Sequence, residues 1–413
     1  MLSLYFPFNI PLCTKNHLLV LRKPRKIGTM QEMKEAKGGG GATMQSSEIM
    51  QLKEKKVSDL MVDKKRLVEV PYTASLAHTM NTLVANKVLA VPVAAPPGQW
   101  IGAGGSMIVE SDKQSGAVRK HYIGMVTMLD IVAHIAGEDH LSGGDDLTKH
   151  LDQRMSVPVS SIIGHSFEGL SLWTLNPSTS LLDCMEVFSK GVHRAMVPID
   201  SHVENVSAGV ELVESASSYQ MLTQMDVVRF LKHHAAQLHS ILSRSVQDLG
   251  ADTERIYAIT ERTRLIDAIK CLKAAMLNAV PIVRASDVCE DDHKQHINGR
   301  CRKLIGTFSA TDLRGCYLET LKSWLGISAL AFTEEVASSP LYTATDSENR
   351  GSRRDLVTCY AQSPLSEVID KAVTRHVHRI WVVDQEGLLV GVVSLTDVLR
   401  VMRHSLLSDS DDQ

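Results

Sequence analysis

The sequence predicts an α+β fold made from one small unit repeated four times, in the order β-α-β-β-α. Two observations carry this. First, a seven-residue motif recurs as GMVTMLD at Gly124–Asp130, QMLTQMD at Gln220–Asp226, GTFSATD at Gly306–Asp312 and GVVSLTD at Gly391–Asp397. Each copy places a hydroxyl residue three positions before an Asp, and the Asp residues at 130, 226, 312 and 397 are 96, 86 and 85 residues apart. That period suits a repeated small domain rather than one turn of a solenoid. Second, each motif follows an apolar helical pattern and a β-branched run.

The chain opens with residues 1–55, read as a disordered extension. Met1–Val20 is apolar in patches, and Arg22, Lys23, Arg25 and Lys26 come after it, the reverse of a secretory signal. A transit peptide is the second reading, because no acidic residue precedes Glu32, and Met30 is an alternative start. Repeat one is expected over 56–140. Ser75 caps a helix with Leu76, Met80, Leu83 and Val84 on one face, and Val91–Val93 is a buried strand. Repeat two, 150–240, repeats this with Ser180 and Val197–Ile199. Repeat three, 245–325, does so with Arg264–Val283. A connecting helix and polar linker fill 326–355. Repeat four, 356–404, starts its helix at Pro364, buries Leu365, Val368, Ile369 and Ala372, and ends its first long strand at Val383. Residues 405–413 read as an acidic tail.

After each motif a helix is expected, at Ile131–Ile135, Val227–Leu231, Leu313–Leu318 and Val398–Met402. Phe230–Leu242 and Leu318–Leu330 read as connecting helices. Pro96–His121, Ser201–Ser218 and Ala285–Lys303 separate paired strands and read as surface excursions, where repeat four has only the turn Asp384–Gly387.

Composition narrows the function classes. The chain is 44% hydrophobic and 22% charged, with a formal net charge of −3, so it is globular and lacks an overall basic field for nucleic acid. Seven Cys with no C-x-x-C pattern suit reduced thiols. No run approaches the roughly 20 apolar residues of a spanning helix, so a soluble protein of the cytoplasm or nucleus is expected. No P-loop, G-x-S-x-G, H-E-x-x-H or kinase signature is present. Cys289, His293, His296 and Cys301 include zinc-type ligands at a spacing unlike a standard finger, and read as part of a solvated loop.

The repeated corner has a chemistry of its own. A carboxylate offers two acceptors to the two donors of a ribose diol. The hydroxyl three residues earlier bonds either a phosphate or the helix backbone, and a helix N-terminus favours an anion. The competing reading is an ordinary N-cap. Four copies in one context favour nucleotide sites, at Thr127 and Asp130, Thr223 and Asp226, Ser309 and Asp312, and Ser394, Thr396 and Asp397. Two basic pairs, His193-Arg194 and His378-Arg379, precede the long strands of repeats two and four, and Arg is suited to phosphate.

On these motifs, and above all on Val377–Leu399 (VHRIWVVDQEGLLVGVVSLTDVL), the chain resembles proteins built from cystathionine-β-synthase (CBS) repeats paired into two Bateman modules. Over about Lys56–His404 it looks like a gamma-type, SNF4-like regulatory subunit of the SNF1-related and AMP-activated protein kinases, of the plant gamma-like kind. The resemblance implies a disk of two modules, repeats one with two and three with four. It implies no catalysis, AMP, ADP or ATP as a regulatory ligand, and kinase alpha and beta subunits as partners in a heterotrimer that senses energy state. It also implies that the His-Arg pairs face a shared centre and reach phosphates. Repeat one departs from this with Val88-Leu89-Ala90 and repeat three with Leu277-Asn278-Ala279. An extra residue between His193 and Asp200 suggests a bulge that turns His193 away. One well-formed site is therefore expected, around His378, Arg379, Ser394 and Asp397. The alternative is a scaffold with largely decayed sites that acts through protein contacts.

Overall fold

The computed structural model describes residues 50–62, 64–95, 121–137, 151–164, 172–199, 218–286, 291–338 and 356–411. Each repeat builds one small sheet. Repeat one contains β1 (Val70–Pro71), α1 (Leu76–Ala85), β2 (Ala90–Ala94), β3 (Tyr122–Thr127) and α2 (Met128–Ala136). After α3 (Leu151–Met155), repeat two contains β4 (Trp173–Thr174), α4 (Leu181–Ser189), β5 (Arg194–Pro198), β6 (Tyr219–Thr223) and α5 (Gln224–His233), followed by α6 (His239–Leu242). Repeat three contains β7 (Tyr257–Thr260), α7 (Leu265–Ala274), β8 (Ala279–Val283), β9 (Ile297–Asn298) and β10 (Leu304–Ser309), then α8 (Leu318–Trp324) and α9 (Ala329–Ser338). Repeat four contains β11 (Thr358–Cys359), α10 (Leu365–Thr374), β12 (Arg379–Val383), β13 (Leu389–Ser394) and α11 (Leu395–Asp411). In every sheet a short leading strand runs parallel to the next strand, which pairs antiparallel with the strand ending at the Ser/Thr corner.

Local chemistry sets the helix ends. The Ser75 and Ser180 hydroxyls accept from the His78 and Asp183 amides, each at 3.1 Å, which satisfies first-turn donors. The first helix of each repeat ends at a left-handed residue: Lys87 (φ 54°), Gly191 (φ 93°), Met276 (φ 52°) and His376 (φ 52°). In three repeats the next amide reaches back five residues, from Val88 to Leu83, Leu277 to Leu272 and Val377 to Ala372, which closes the last turn and aims the chain into the long strand.

The pairing of repeats one with two and three with four is built into the backbone by exchange of lead-in segments. The chain before repeat one closes repeat two: Val57 donates to the Thr179 carbonyl (2.9 Å) and Leu181 to that of Lys55 (2.7 Å). The chain before repeat two closes repeat one, through Leu76 to Val157 (3.0 Å) and Val159 to Ala74 (2.7 Å). Val246 to Ser363 and Leu365 to Arg244, both 3.0 Å, make the same exchange onto repeat four. Leu265 to Ile327 and Ala329 to Thr263, both 2.8 Å, make it onto repeat three.

The apolar cores run the other way. One joins repeats two and four, from Phe188, Val228 and Leu231 to Val368, Leu399 and Met402. Another joins repeats one and three, from Leu83, Ile131 and Ile135 to Ile269, Phe308 and Phe332. Smaller clusters join the sheets of each pair: Tyr122, Met196 and Tyr219 in one, and Ile256, Leu304, Trp381 and Leu389 in the other. Repeats one, two, four and three thus form a closed ring of contacts. A repeat has two apolar faces, one on its sheet and one on its helices, and the ring covers both.

Several expectations need correction. The helix expected at Leu313–Leu318 is a 3-10 turn over Ala310–Leu313, because Gly315 turns left-handed (φ 85°) and the helix restarts at Leu318. The helix expected over Phe230–Leu242 breaks between α5 and α6. That over Leu318–Leu330 breaks at 325–328, where Ser328 bridges to Arg264. Residues 1–49 lie outside the described residues, but 50–53 are helical and Leu52 is buried in the core of repeats two and four, so the folded chain starts before residue 56. At the other end α11 continues through the expected acidic tail to Asp411, with Leu406 buried. The excursions expected at 96–121 and 201–218 fall almost wholly outside the described residues. The described part of 285–303 folds back, adding β9 antiparallel to β7 as a fourth strand. Repeat two is the pair without a register shift, whereas the other three sheets carry one, so no bulge turns His193 away.

Candidate functional site

The four corners superpose in their bonding. The amide after each hydroxyl residue donates to the residue that precedes the long strand: Met128 to Leu89 (3.3 Å), Gln224 to His193 (3.1 Å), Ala310 to Asn278 (2.8 Å) and Leu395 to His378 (3.1 Å). Strand register then sets the residue opposite each hydroxyl. It is Ala90 facing Thr127, Arg194 facing Thr223, Ala279 facing Ser309 and Arg379 facing Ser394. Repeats two and four therefore place a guanidinium-bearing residue across the ladder from the corner, and repeats one and three place a methyl group there.

Each Asp also closes a capping box. Asp130 Oδ2 accepts from the Thr127 amide (2.8 Å) and hydroxyl (2.7 Å), and Asp226 does the same with Thr223. Asp397 accepts from the Ser394 amide (3.0 Å) and hydroxyl (2.5 Å), and Asp312 from the Ser309 amide (2.8 Å). The capping reading thus holds at all four corners, and it takes up one carboxylate oxygen in each. Asp130 and Asp312 are buried, at 7% and 1% exposure, while Asp226 and Asp397 are half-buried.

Two cations escaped the sequence reading. Arg229 lies 3.5 Å from Asp226 Oδ1 and Arg400 3.2 Å from Asp397 Oδ1. The signal was there to find, since an Arg stands three residues after the Asp in repeats two and four, where repeats one and three have Ala133 and Gly315. The basic groups of the corners thus sit on the side of the ring where repeats two and four share a core. Gln224 Nε2 donates to Thr396 Oγ1 (2.9 Å) across that junction, so Thr396 binds repeat two as well as standing at the corner. Across the ring, Asn278 Nδ2 lies 3.1 Å from His193 Nδ1, so His193 of repeat two meets the equivalent position of repeat three.

The other sequence motifs resolve into structure. His293 Nδ1 is 2.8 Å from Thr260 Oγ1, and His296 Nε2 is 2.8 Å from the Cys271 carbonyl. No group of side chains among the described residues could hold a metal, and Cys289 lies outside them. Burial pushes the thiols of Cys184 and Cys359 up to about 12 and that of Cys271 to about 11, while Cys301 is exposed. An open cavity of 860 Å³, lined by Gln247, Tyr360, Ser363, Val383 and Asp384 among others, lies at the far end of the repeat-four hairpin from its corner.

Four related units closed into a ring, three of them β-α-β-β-α and each with this corner, define a tandem CBS-repeat protein, and the CBS domain family model matches residues 352–404. The SNF1-related protein kinase regulatory subunit gamma-like PV42a of Arabidopsis thaliana is 61% identical over 351 residues, covering 84% of this chain and 94% of that protein. Its gamma-like PV42b counterpart in the same plant is 58% identical over 370 residues, covering 89% and 99%. The chain belongs to this family of SNF1-related protein kinase regulatory gamma-like subunits. The human AMP-activated protein kinase subunit gamma-3 is 24% identical over 350 residues, covering 83% of this chain and 58% of that one. A solved protein of Methanocaldococcus jannaschii, described as an archaeal homologue of the AMP-activated kinase gamma subunit, shares the fold with a TM-score of 0.52 at 19% identity, over 84% of this chain and all of that one.

Proposed function

We propose that this protein is a non-catalytic regulatory subunit that binds an adenine nucleotide at the repeat-four corner and assembles with kinase alpha and beta subunits. One observation carries the nucleotide reading: Arg379 faces Ser394 across the ladder, Ser394 is bonded to Asp397, and His378, the residue before Arg379, is exposed. The Asp397 carboxylate is suited to a ribose diol, and His378 and Arg379 to phosphate. Charge-assisted contacts contribute about 1.5–3 kcal/mol each, so Arg379→Ala should weaken AMP, ADP or ATP roughly ten- to a hundredfold in titration calorimetry. Asp397→Ala should weaken a ribonucleotide and leave inorganic phosphate little changed. Affinity unchanged in both folded variants would move the site elsewhere. The family supports a kinase partner, and co-purification of the full chain with alpha and beta subunits tests it.

A second reading, a scaffold acting through protein contacts, is favoured by Ala90 and Ala279 opposite two corners and by the capping role of all four Asp residues. Kinase assembly by a wild type that binds no nucleotide would select it.

A further inference from the structure

Repeat two departs from the motif at its first residue, where Gln220 stands in place of the Gly of the other three. In repeat four that Gly allows a close approach by the chain that leads into repeat three. A Cβ on Gly391 would lie 3.3 Å from Asp252 Oδ2 and 3.4 Å from the Thr253 carbonyl. In repeat two the lead-in segment of repeat one is held instead by a side chain: Gln220 Nε2 donates to the Lys64 carbonyl at 3.1 Å. This fastening brings Lys64 Nζ to 2.5 Å from Asp226 Oδ2, with side-chain exposures of only 21% and 10%. That same oxygen accepts from the Thr223 amide and hydroxyl, and Arg229 stands 3.5 Å from Oδ1. Arg229 Nη2 in turn lies 3.2 Å from Nδ1 of His376, two residues before His378 of repeat four.

We propose that Lys64 is a built-in occupant of the ribonucleotide site of repeat two, held on Asp226 by Gln220, so that a ribonucleotide enters there only when Lys64 withdraws. This rests on the reading of the corners as nucleotide sites. Repeats two and four carry the same basic apparatus, His193, Arg194 and Arg229 against His378, Arg379 and Arg400. They differ in what the neighbouring segment presents: at repeat two Lys64, whose ammonium group reaches Asp226, and at repeat four Asp252, which lies against Gly391. A ligand must displace Lys64 before a ribose diol can reach Asp226, and its apparent affinity falls by the fraction of molecules in which the site is free.

Equilibrium dialysis of the full chain against labelled AMP tests this with wild type, Lys64→Ala, Gln220→Gly and the double variant Lys64→Ala/Asp226→Ala. Thermal melts check that each is folded. Lys64→Ala and Gln220→Gly should each strengthen a second AMP site by about tenfold or more, and the double variant should lose it. Wild-type binding that neither single variant augments overturns the occupant role and leaves the repeat-four site standing. Weaker binding in Lys64→Ala overturns it too, because Lys64 would then be a ligand for phosphate. A wild type that binds no AMP beside a Lys64→Ala variant that does would support Lys64 as occupant and remove the repeat-four site. No uptake by any of the four proteins overturns both readings.

Discussion

Asp291 shows how a single polar pair anchors an insertion that composition alone marks as solvated. Arg302 donates to both of its oxygens, at 2.8 and 3.0 Å, and the Ser286 amide adds a third bond at 3.0 Å. The Arg302 guanidinium holds the Asp291 carboxyl below its ordinary value. A depressed folded-state value stabilises the fold above the unfolded value near about 3.9, and that contribution is lost as pH falls through the folded value. Asp291→Asn should therefore cost about 1.5–3 kcal/mol at neutral pH. The gap from wild type should narrow as pH drops below about 4. Urea unfolding at several pH values measures this, and a gap constant down to pH about 3 would remove the ion pair as its cause.

At the scale of elements, the periodic segments were legible and the short ones were not. The helices of repeats one, two and four that start at Ser75, Ser180 and Pro364 stand where spacing put them, because an apolar stripe every three to four residues leaves one way to bury it. The corners were legible as helix starts, with the cap as the reading that competed with a nucleotide site, and the basic pairs fall at the starts of β5 and β12, where Arg194 and Arg379 are the first strand residues. Strand β9 was not, since Ile297–Asn298 is two residues long and carries no alternation. It is fixed by tertiary fit: Gly299 donates to the Ile256 carbonyl at 2.9 Å, and a Cβ there would lie 2.9 Å from the Ala258 Cβ and 3.0 Å from Ile256 Cγ2. Gly299→Ala should push β9 off β7 and cost about 1–3 kcal/mol. Hydrogen exchange should speed up over 297–299 while β12 and β13 stay protected, and unchanged protection at 297–299 would refute this account. The contact of Lys64 with Asp226 was equally hidden, because 162 residues separate its partners and no local pattern encodes their meeting.

For the whole molecule, the two kinds of pairing differ in what they bury. Backbone exchange and sheet contacts hold repeats one with two and three with four, yet the large cores join one with three and two with four. A sequence divided by its repeats shows the first pairing through short connections, but the second depends on helix faces whose partners lie more than 100 residues away, as Ile131 does from Ile269 and Leu231 from Val368. The consequence is that half the ring is not a finished unit. A chain cut after Ser243 keeps the exchanged segments of repeats one and two, yet uncovers Ile131, Ile135, Val228, Leu231 and Phe188, all fully buried in the ring. Burying each such side chain contributes about 1.5–3 kcal/mol, so the exposed helix faces should find a second copy. Residues 50–243 expressed alone should run as a dimer or larger species in light scattering, while the full chain at the same concentration should not associate through these faces. A stable, monomeric half with a sharp urea transition would show that the sheet side alone holds each module, and that the cores across the ring add little.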